Sequence, residues 1–137
     1  MATFLAEAKQ HHLHVSVYQG NFSEISGYEV AKTIFHSTKL PEAVFCANDQ
    51  MAIGFLRAMK EHGLHAPADI AIVGFDDIPT AAMASPPLTT VRQPGFALGN
   101  AAAKLLFTLL DGQAAPAPAV IETDFLARGT TGPARER

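Results

Sequence analysis

The chain has 137 residues, of which 48% are apolar and 17% are charged, and its formal net charge at pH 7 is −3. This composition supports one domain with a buried core, argues against disorder, and provides no clustered basic patch for binding DNA. The single cysteine, Cys46, favours a reducing compartment, expected to be the cytoplasm, and no apolar run is long enough to span a membrane.

The first part of the chain alternates predicted helices and strands. Residues 3–10 predict a short helix end, and Leu13–Val17 has the character of a strand. After a turn in GNFS, Ser23 is a favourable N-cap for a helix that apolar spacing extends to about Ser37. The short apolar run Ala43–Ala47 then predicts a strand buried on both faces.

A strand–helix–strand unit follows in the middle of the chain. Asn48 and Asp49 are favourable capping residues for a helix that reaches about His62. Ile70–Phe75 predicts the next strand. Because two such strands separated by one helix form a parallel crossover, the sequence predicts an α/β fold with a parallel sheet.

The last third of the chain predicts one helix and one strand. Pro94 precedes the helical segment Phe96–Leu110, and Val120–Ala127 has partial strand alternation. The terminal residues PARER are expected to be disordered.

Polar residues follow both parallel strands, in the segments FCAND and VGFDD. Because parallel strands end at the same edge of a sheet, Asn48 and Asp76 are expected to face a common cleft. An amide that donates and accepts, beside a carboxylate that accepts from neighbouring hydroxyls, suits a polyhydroxylated or heterocyclic ligand. The alternative is that Asn48 and one of Asp76 and Asp77 only cap helices or turns.

The residues do not predict an enzyme, a metal site or a cofactor. Cys46 lies in a predicted buried strand with no neighbouring cation to lower its pKa. His11, His12 and His14 lack the companion ligands of a closed metal site, and no glycine-rich phosphate loop is present. A small α/β enzyme would need a catalytic set at the same cleft, and the sequence offers none.

Three motifs, ANDQMAIG, DIAIVGFDD and PPLTTVRQP, occur in this order between Pro41 and Pro94. Together they resemble the effector-binding module of the LacI/GalR family of bacterial transcription regulators, and a weaker similarity covers GNFSEISGYEVA and ETDFLARGTT. The resemblance implies a three-layer parallel-sheet lobe of a periplasmic-binding-protein-like fold. In such a fold two lobes close on a small molecule.

The resemblance also implies the residues that contact the ligand. By the matching motif positions, the ring of Phe22 stacks on the ligand, Asn48 forms a hydrogen bond with it, and Asp76 binds its polar groups. Gln93 is a further polar contact. The ligand is expected to be a sugar or a nucleobase-like molecule, and the alternative for Phe22 is a core residue that anchors its turn.

A homodimer is a further implication of the resemblance. Subunits of this family meet through helices that correspond to Ser26–Val30 and Ala52–Leu56, and through the loop after FDD. The expected interface residues are Tyr28, Ile53, Ala81 and Met83. Ile53 lies on the polar side of its predicted helix, so the alternative is a lone exposed apolar residue.

The family's regulators have about twice this length or more, and this sequence lacks their helix-turn-helix, hinge and most of the first lobe. Residues 1–137 are therefore expected to form the C-terminal, truncated portion of an effector-binding domain. They would form mainly one lobe, with residues 95–122 belonging to the other lobe of an intact protein. Operator DNA would be bound only through the missing N-terminal domain. The alternative function is a sugar-binding protein of a transport system with the same fold.

Overall fold

The computed structural model describes residues 2–118 and 120–133, so residues 134–137 of the tail expected to be disordered lie outside the described residues. Five helices and four strands occur in the described part of the chain. Their order is α1 Ala2–Gln10, α2 Glu24–Phe35, β1 Ala43–Phe45, α3 Asp49–Glu61, β2 Ala71–Val73, α4 Pro79–Met83, β3 Thr90–Arg92, α5 Gly95–Leu110 and β4 Asp124–Leu126.

The two central helices begin at the predicted capping residues. The Ser23 hydroxyl accepts a hydrogen bond from the Ser26 amide at 3.1 Å, and Asn48 Oδ1 accepts one from the Met51 amide at 2.9 Å. Each bond satisfies an amide that the first turn of a helix leaves without a partner. Both helices also end within two residues of their predicted ends.

The strands form two two-stranded sheets, β1 with β2 and β3 with β4. β1 and β2 are parallel, with Val44 opposite Ile72, and α3 connects them, so the predicted parallel crossover is confirmed. Isolated parallel bridges from Val73 to Thr89 and from Asp76 to Arg92 connect β2 and the segment after it to the β3 region. The final strand, β4, is antiparallel to β3 and shorter than predicted.

Helices α2 and α3 approach each other closely because glycines face the contact. A Cβ atom at Gly54 would lie 1.9 Å from the Glu24 carbonyl oxygen, and one at Gly27 would lie 2.0 Å from that of Met51. The apolar face of α3 forms the core together with residues of α2, with Ile72 of β2 and with Ile70, which precedes β2. This core includes Ala31, Ile34, Ala52, Phe55, Ala58, Met59, Ile70 and Ile72.

Two strand predictions are wrong in the amino-terminal half. Leu13–Val17 forms no strand, and its residues are exposed. The reason is that a strand needs a neighbour to pair its backbone groups, and no described segment pairs with this one. β1 is buried on one face only: Cys46 beside it is buried, whereas Phe45 is 47% exposed and stacks on Phe4 with 5.6 Å between ring centroids.

Helix α5 lies outside this core. None of its 16 residues is buried, and Phe96 is 91% exposed. Its apolar side chains therefore find little cover within the described chain. No described helix, α5 included, is both long enough and apolar enough to cross a bilayer.

The close contact between α2 and α3 can be tested with two glycine substitutions. Gly54→Ala should lower the free energy of unfolding by about 1–3 kcal/mol, because the added methyl group forces two helix backbones apart. Gly99→Ala is the matched control, since a Cβ atom there meets nothing within 4 Å in α5. The control should leave stability unchanged or raise it by up to about 1 kcal/mol. Equal urea midpoints for the two variants would show that the helices do not pack as described.

Candidate functional site

Asp49 joins the ends of three elements through its backbone amide and its buried carboxylate. The amide donates to the Phe75 carbonyl at 2.8 Å. Its Oδ1 accepts from the Thr90 hydroxyl at 2.5 Å, and its Oδ2 accepts from the Ile78 amide at 2.9 Å. Gly74 leaves room for this carboxylate, because a Cβ atom there would lie 2.2 Å from Oδ1. A buried charge needs such partners, so Asp49 ties the start of α3 to β3 and to the segment after β2.

Two of the predicted ligand residues flank this junction. Asn48 precedes Asp49, and Asp76 follows Phe75, so the Asp49–Phe75 hydrogen bond brings both to one edge of the sheet. Asn48 Nδ2 donates to the Phe22 carbonyl at 2.8 Å while Oδ1 caps α3. Asn48 therefore caps α3, and it also holds the turn at Phe22. An amide group nevertheless has four hydrogen-bonding positions, so one N–H and one lone pair are left by these two bonds.

The Phe22 ring is presented to solvent. Its backbone has a φ of 64°, and its side chain is 64% exposed. The turn around it is held by Asn21 Oδ1, which accepts from the Ser23 amide at 3.1 Å and from the Ser23 hydroxyl at 2.6 Å. The alternative of a core phenylalanine is wrong, because an exposed ring does not anchor a core. Such a ring can stack on a flat apolar surface of a ligand.

Asp76 and Gln93 are in direct contact. Gln93 Nε2 donates to Asp76 Oδ1 at 2.5 Å, and the Asp76 amide donates to the Val91 carbonyl at 2.9 Å. The backbone at Asp76 has a φ of 119°, a value that residues with a Cβ atom rarely adopt. The pair therefore offers a second carboxylate oxygen and a glutamine carbonyl side by side.

The adjacent carboxylate, Asp77, has different partners. Arg92 Nε donates to its Oδ2 at 2.8 Å, and Arg128 Nη2 donates to its Oδ1 at 2.6 Å. The hydrogen bond from Arg92, helped by Arg128, holds the pKa of Asp77 below its usual value, although burial acts in the opposite direction. In return, the hydrogen bond to Asp77 raises the pKa of Arg92. Asp77 is thus engaged within the chain, whereas Asp76 faces the glutamine.

Sequence reasoning missed the two arginines. Arg92 is 15 residues from Asp77 and Arg128 is 51 residues away, so no local spacing indicates either contact. In β3, Arg92 shares a face with the buried Thr90, two residues earlier, so strand alternation gives no signal for its contact with Asp77.

Three of the four residues predicted for a subunit interface have some exposed surface, and their environments differ. The Tyr28 hydroxyl donates to the Glu61 carboxylate at 2.5 Å, and the Arg57 guanidinium lies 4.5 Å from the centre of the Tyr28 ring. The hydrogen bond to Glu61 also raises the pKa of Tyr28. Ile53 is partly buried, and Met83 is 80% exposed.

Ala81 differs from the other three interface residues. It has no exposed surface, because the predicted loop after FDD contains helix α4, which packs Ala81 into the core of the chain itself. A second subunit would therefore meet the neighbours of Ala81 and not its side chain.

Other reactive groups do not join the candidate site. Burial raises the pKa of the Cys46 thiol to about 12, so the thiol is neutral, as expected for a structural cysteine. No group of three histidine, cysteine, aspartate or glutamate side chains in residues 2–118 and 120–133 could hold a metal ion. An open groove of about 460 Å³ between α1 and the segment after it is lined by Leu5, Ala8, Lys9, His12, Leu13, His14 and Val15, and it shares no residue with the candidate site.

Comparison with known proteins identifies the kind of domain. Residues 1–131 match the family described as periplasmic binding protein-like domain. The HTH-type transcriptional repressor MelR of Bacillus subtilis (strain 168) is 39% identical over 132 residues, which are 96% of this chain and 38% of that protein. The lactose operon repressor of Rhizobium radiobacter is 41% identical over 105 residues, which are 77% of this chain and 93% of that sequence.

A solved structure agrees with these relatives. The lac repressor dimer bound to operator and the anti-inducer ONPF has a TM-score of 0.88 and 32% identity, over 95% of this chain and 46% of that one. The chain thus spans less than half the length of this protein and of the Bacillus relative. The family resemblance and the periplasmic-binding-protein-like fold predicted from the motifs are confirmed. The chain therefore belongs to the LacI family of transcriptional repressors and corresponds to part of their periplasmic-binding-protein-like domain.

Proposed function

We propose that this chain is the effector-sensing and dimerising part of a LacI-type repressor. Its small-molecule site would include Phe22, Asn48, Asp76 and Gln93. The observation that carries the proposal is the convergence of two hydrogen-bonded pairs, Asn48 with Phe22 and Gln93 with Asp76, on the edge where β1 and β2 end. This edge of an α/β sheet is where such folds bind ligands.

The chemistry of these residues favours a neutral, polyhydroxylated effector. The free oxygens of Asp76 and Gln93 can accept from neighbouring hydroxyls, and the exposed Phe22 ring can cover an apolar sugar face. An anion would be repelled by Asp76, because Asp77 already engages Arg92 and Arg128. The lactose operon repressor among the relatives supports a sugar, and a nucleobase-like molecule is the class to test against it.

In the whole protein, effector binding would shift the population of two domain arrangements and so change operator affinity. A separate helix-turn-helix domain would bind the DNA, since the 137 residues carry a net charge of −3 and no basic patch. We place this function in the cytoplasm, where operator DNA is found. Relatives named as transcriptional repressors favour this assignment over a transport protein or an enzyme.

Calorimetry with a panel of neutral mono- and disaccharides and nucleobases tests the site. We expect Asp76→Ala to weaken binding about 10- to 100-fold, the range for losing hydrogen bonds to a charged group. Asp111→Ala is the control, because Asp111 lies at the far end of α5 and its loss should leave binding unchanged. Equal heats for wild type and Asp76→Ala would remove Asp76 from the site, and binding of nucleobases alone would exclude a sugar effector.

The same proposal includes a homodimer through α2, α3 and α4. The solved relative described as a dimer supports this assembly. Met83 and Ile25 are 80% and 69% exposed, and such large apolar side chains are common at subunit contacts. Tyr28 and Ile53 would lie in the same interface, whereas the buried Ala81 would hold α4 on the core behind it.

Sedimentation velocity tests this interface. Met83→Glu and Ile53→Glu should each shift the chain from dimer to monomer, because a carboxylate would be buried without a partner. Gln113→Glu adds the same charge after α5 and should leave the dimer intact. A monomeric wild-type chain, or a dimer that survives both interface substitutions, would contradict the proposed contact.

A further inference from the structure

Two successive residues at the candidate site have an unusual backbone. The φ angles of Asp76 and Asp77 are 119° and 60°, and neither residue is glycine. Side chains make the first of these conformations rare, so surrounding contacts must hold it. Asp76 itself has few such contacts: its amide bonds to Val91, and its carboxylate bonds to the exposed Gln93. Asp49 holds the two ends of the turn through the Phe75 carbonyl and the Ile78 amide, and a restraint on its middle comes from the next residue, Asp77.

Asp77 supplies that restraint through two arginines from different segments. Arg92 of β3 binds one oxygen at 2.8 Å, and Arg128, just beyond β4, binds the other at 2.6 Å. The Asp77 side chain is only 12% exposed. Because each oxygen has its own arginine, the plane of the carboxylate is fixed as well as its charge compensated.

Arg128 is itself anchored at further points. Its Nη1 donates to the Leu88 carbonyl at 3.0 Å, and its backbone amide donates to the Thr89 hydroxyl at 2.8 Å. Its side chain is 19% exposed, against 50% for Arg92. Arg128 therefore connects the 76–77 turn to a segment with little freedom to move.

We propose that Arg92 and Arg128 form a clamp on Asp77 that sets the orientation of the Asp76 carboxylate toward Gln93. The two arginines are thus positioning residues, and they act through the backbone of the 76–77 turn. A role in effector affinity rests on the proposed function, whereas the orientation of Asp76 is a property of the chain without ligand. The two parts can therefore be tested separately.

The clamp can be tested without ligand by NMR. The readout is the pair of signals from the Gln93 side-chain amide, which are assigned because they disappear in Gln93→Glu. A hydrogen bond to Asp76 displaces one amide proton from the position of a solvated glutamine. We expect Asp77→Asn and Arg128→Met to return it to that position. Asparagine tolerates a φ near 60°, so Asp77→Asn weakens both arginine contacts without a steric obstacle of its own to the turn. Arg57→Met is the control, because it removes an ion pair with Glu24 elsewhere and should leave the signal unchanged.

A conservative substitution distinguishes positioning from simple charge compensation. Arg128→Lys keeps the charge but cannot bond to Asp77 and to the Leu88 carbonyl in one fixed fork. We expect the Gln93 amide signal of Arg128→Lys to lie at the position of a solvated glutamine, as in Arg128→Met. A wild-type signal in Arg128→Lys, or in both Asp77→Asn and Arg128→Met, would overturn the clamp.

Effector affinity is measured on the same variants. With any saccharide of the panel that wild type binds, Asp77→Asn should weaken binding about tenfold, and Arg57→Met should not change it. Unchanged affinity in Asp77→Asn would overturn the role of the clamp in binding. If no saccharide or nucleobase binds to wild type, the proposed effector function fails, and the Gln93 signal still decides whether the clamp orients Asp76.

Discussion

The hydrogen bonds of the buried Asp49 carboxylate determine the geometry of the candidate site. A carboxylate without exposed surface destabilises a fold unless each oxygen has a partner, and Asp49 obtains its partners from Thr90 and the Ile78 amide. The side chain fits only because Gly74 has no Cβ atom. One residue thus holds the start of α3, the end of β2 and the start of β3 at one point.

The candidate site follows from this junction by chain connectivity. Asn48 and Asp76 flank the Asp49–Phe75 hydrogen bond, so their separation is set by the backbone. The adjacent aspartates then have different environments. The charge of Asp77 is compensated by two arginines, whereas the Asp76 carboxylate accepts a hydrogen bond from the neutral Gln93 amide. This division uses Asp77 for structure and would leave Asp76 for the proposed effector, an arrangement suited to a preorganised site.

The features that could be predicted from the sequence depend on neighbouring residues or on a repeating apolar pattern. The caps at Ser23 and Asn48 and the parallel crossover depend on neighbouring residues, and the structure contains all of them. The Leu13–Val17 strand failed because pairing depends on a partner that the described chain does not provide. The Arg128 contact was missed because a hydrogen bond across 51 residues leaves no periodic signal, and it formed only when the fold brought β4 beside β3.

A double-mutant cycle between Asp49→Ala and Thr90→Val tests the central claim most directly. The free energies of unfolding of wild type, both single variants and the double variant are measured by urea denaturation at pH 7. If the hydrogen bond from Thr90 to the Asp49 carboxylate holds β3 against the start of α3, each single substitution should strongly lower the free energy of unfolding. Their coupling energy should be at least about 1 kcal/mol, as for a buried hydrogen bond to a charged group. Additive effects within about 0.5 kcal/mol would show that the two side chains do not interact, and would contradict this account of how the site is held.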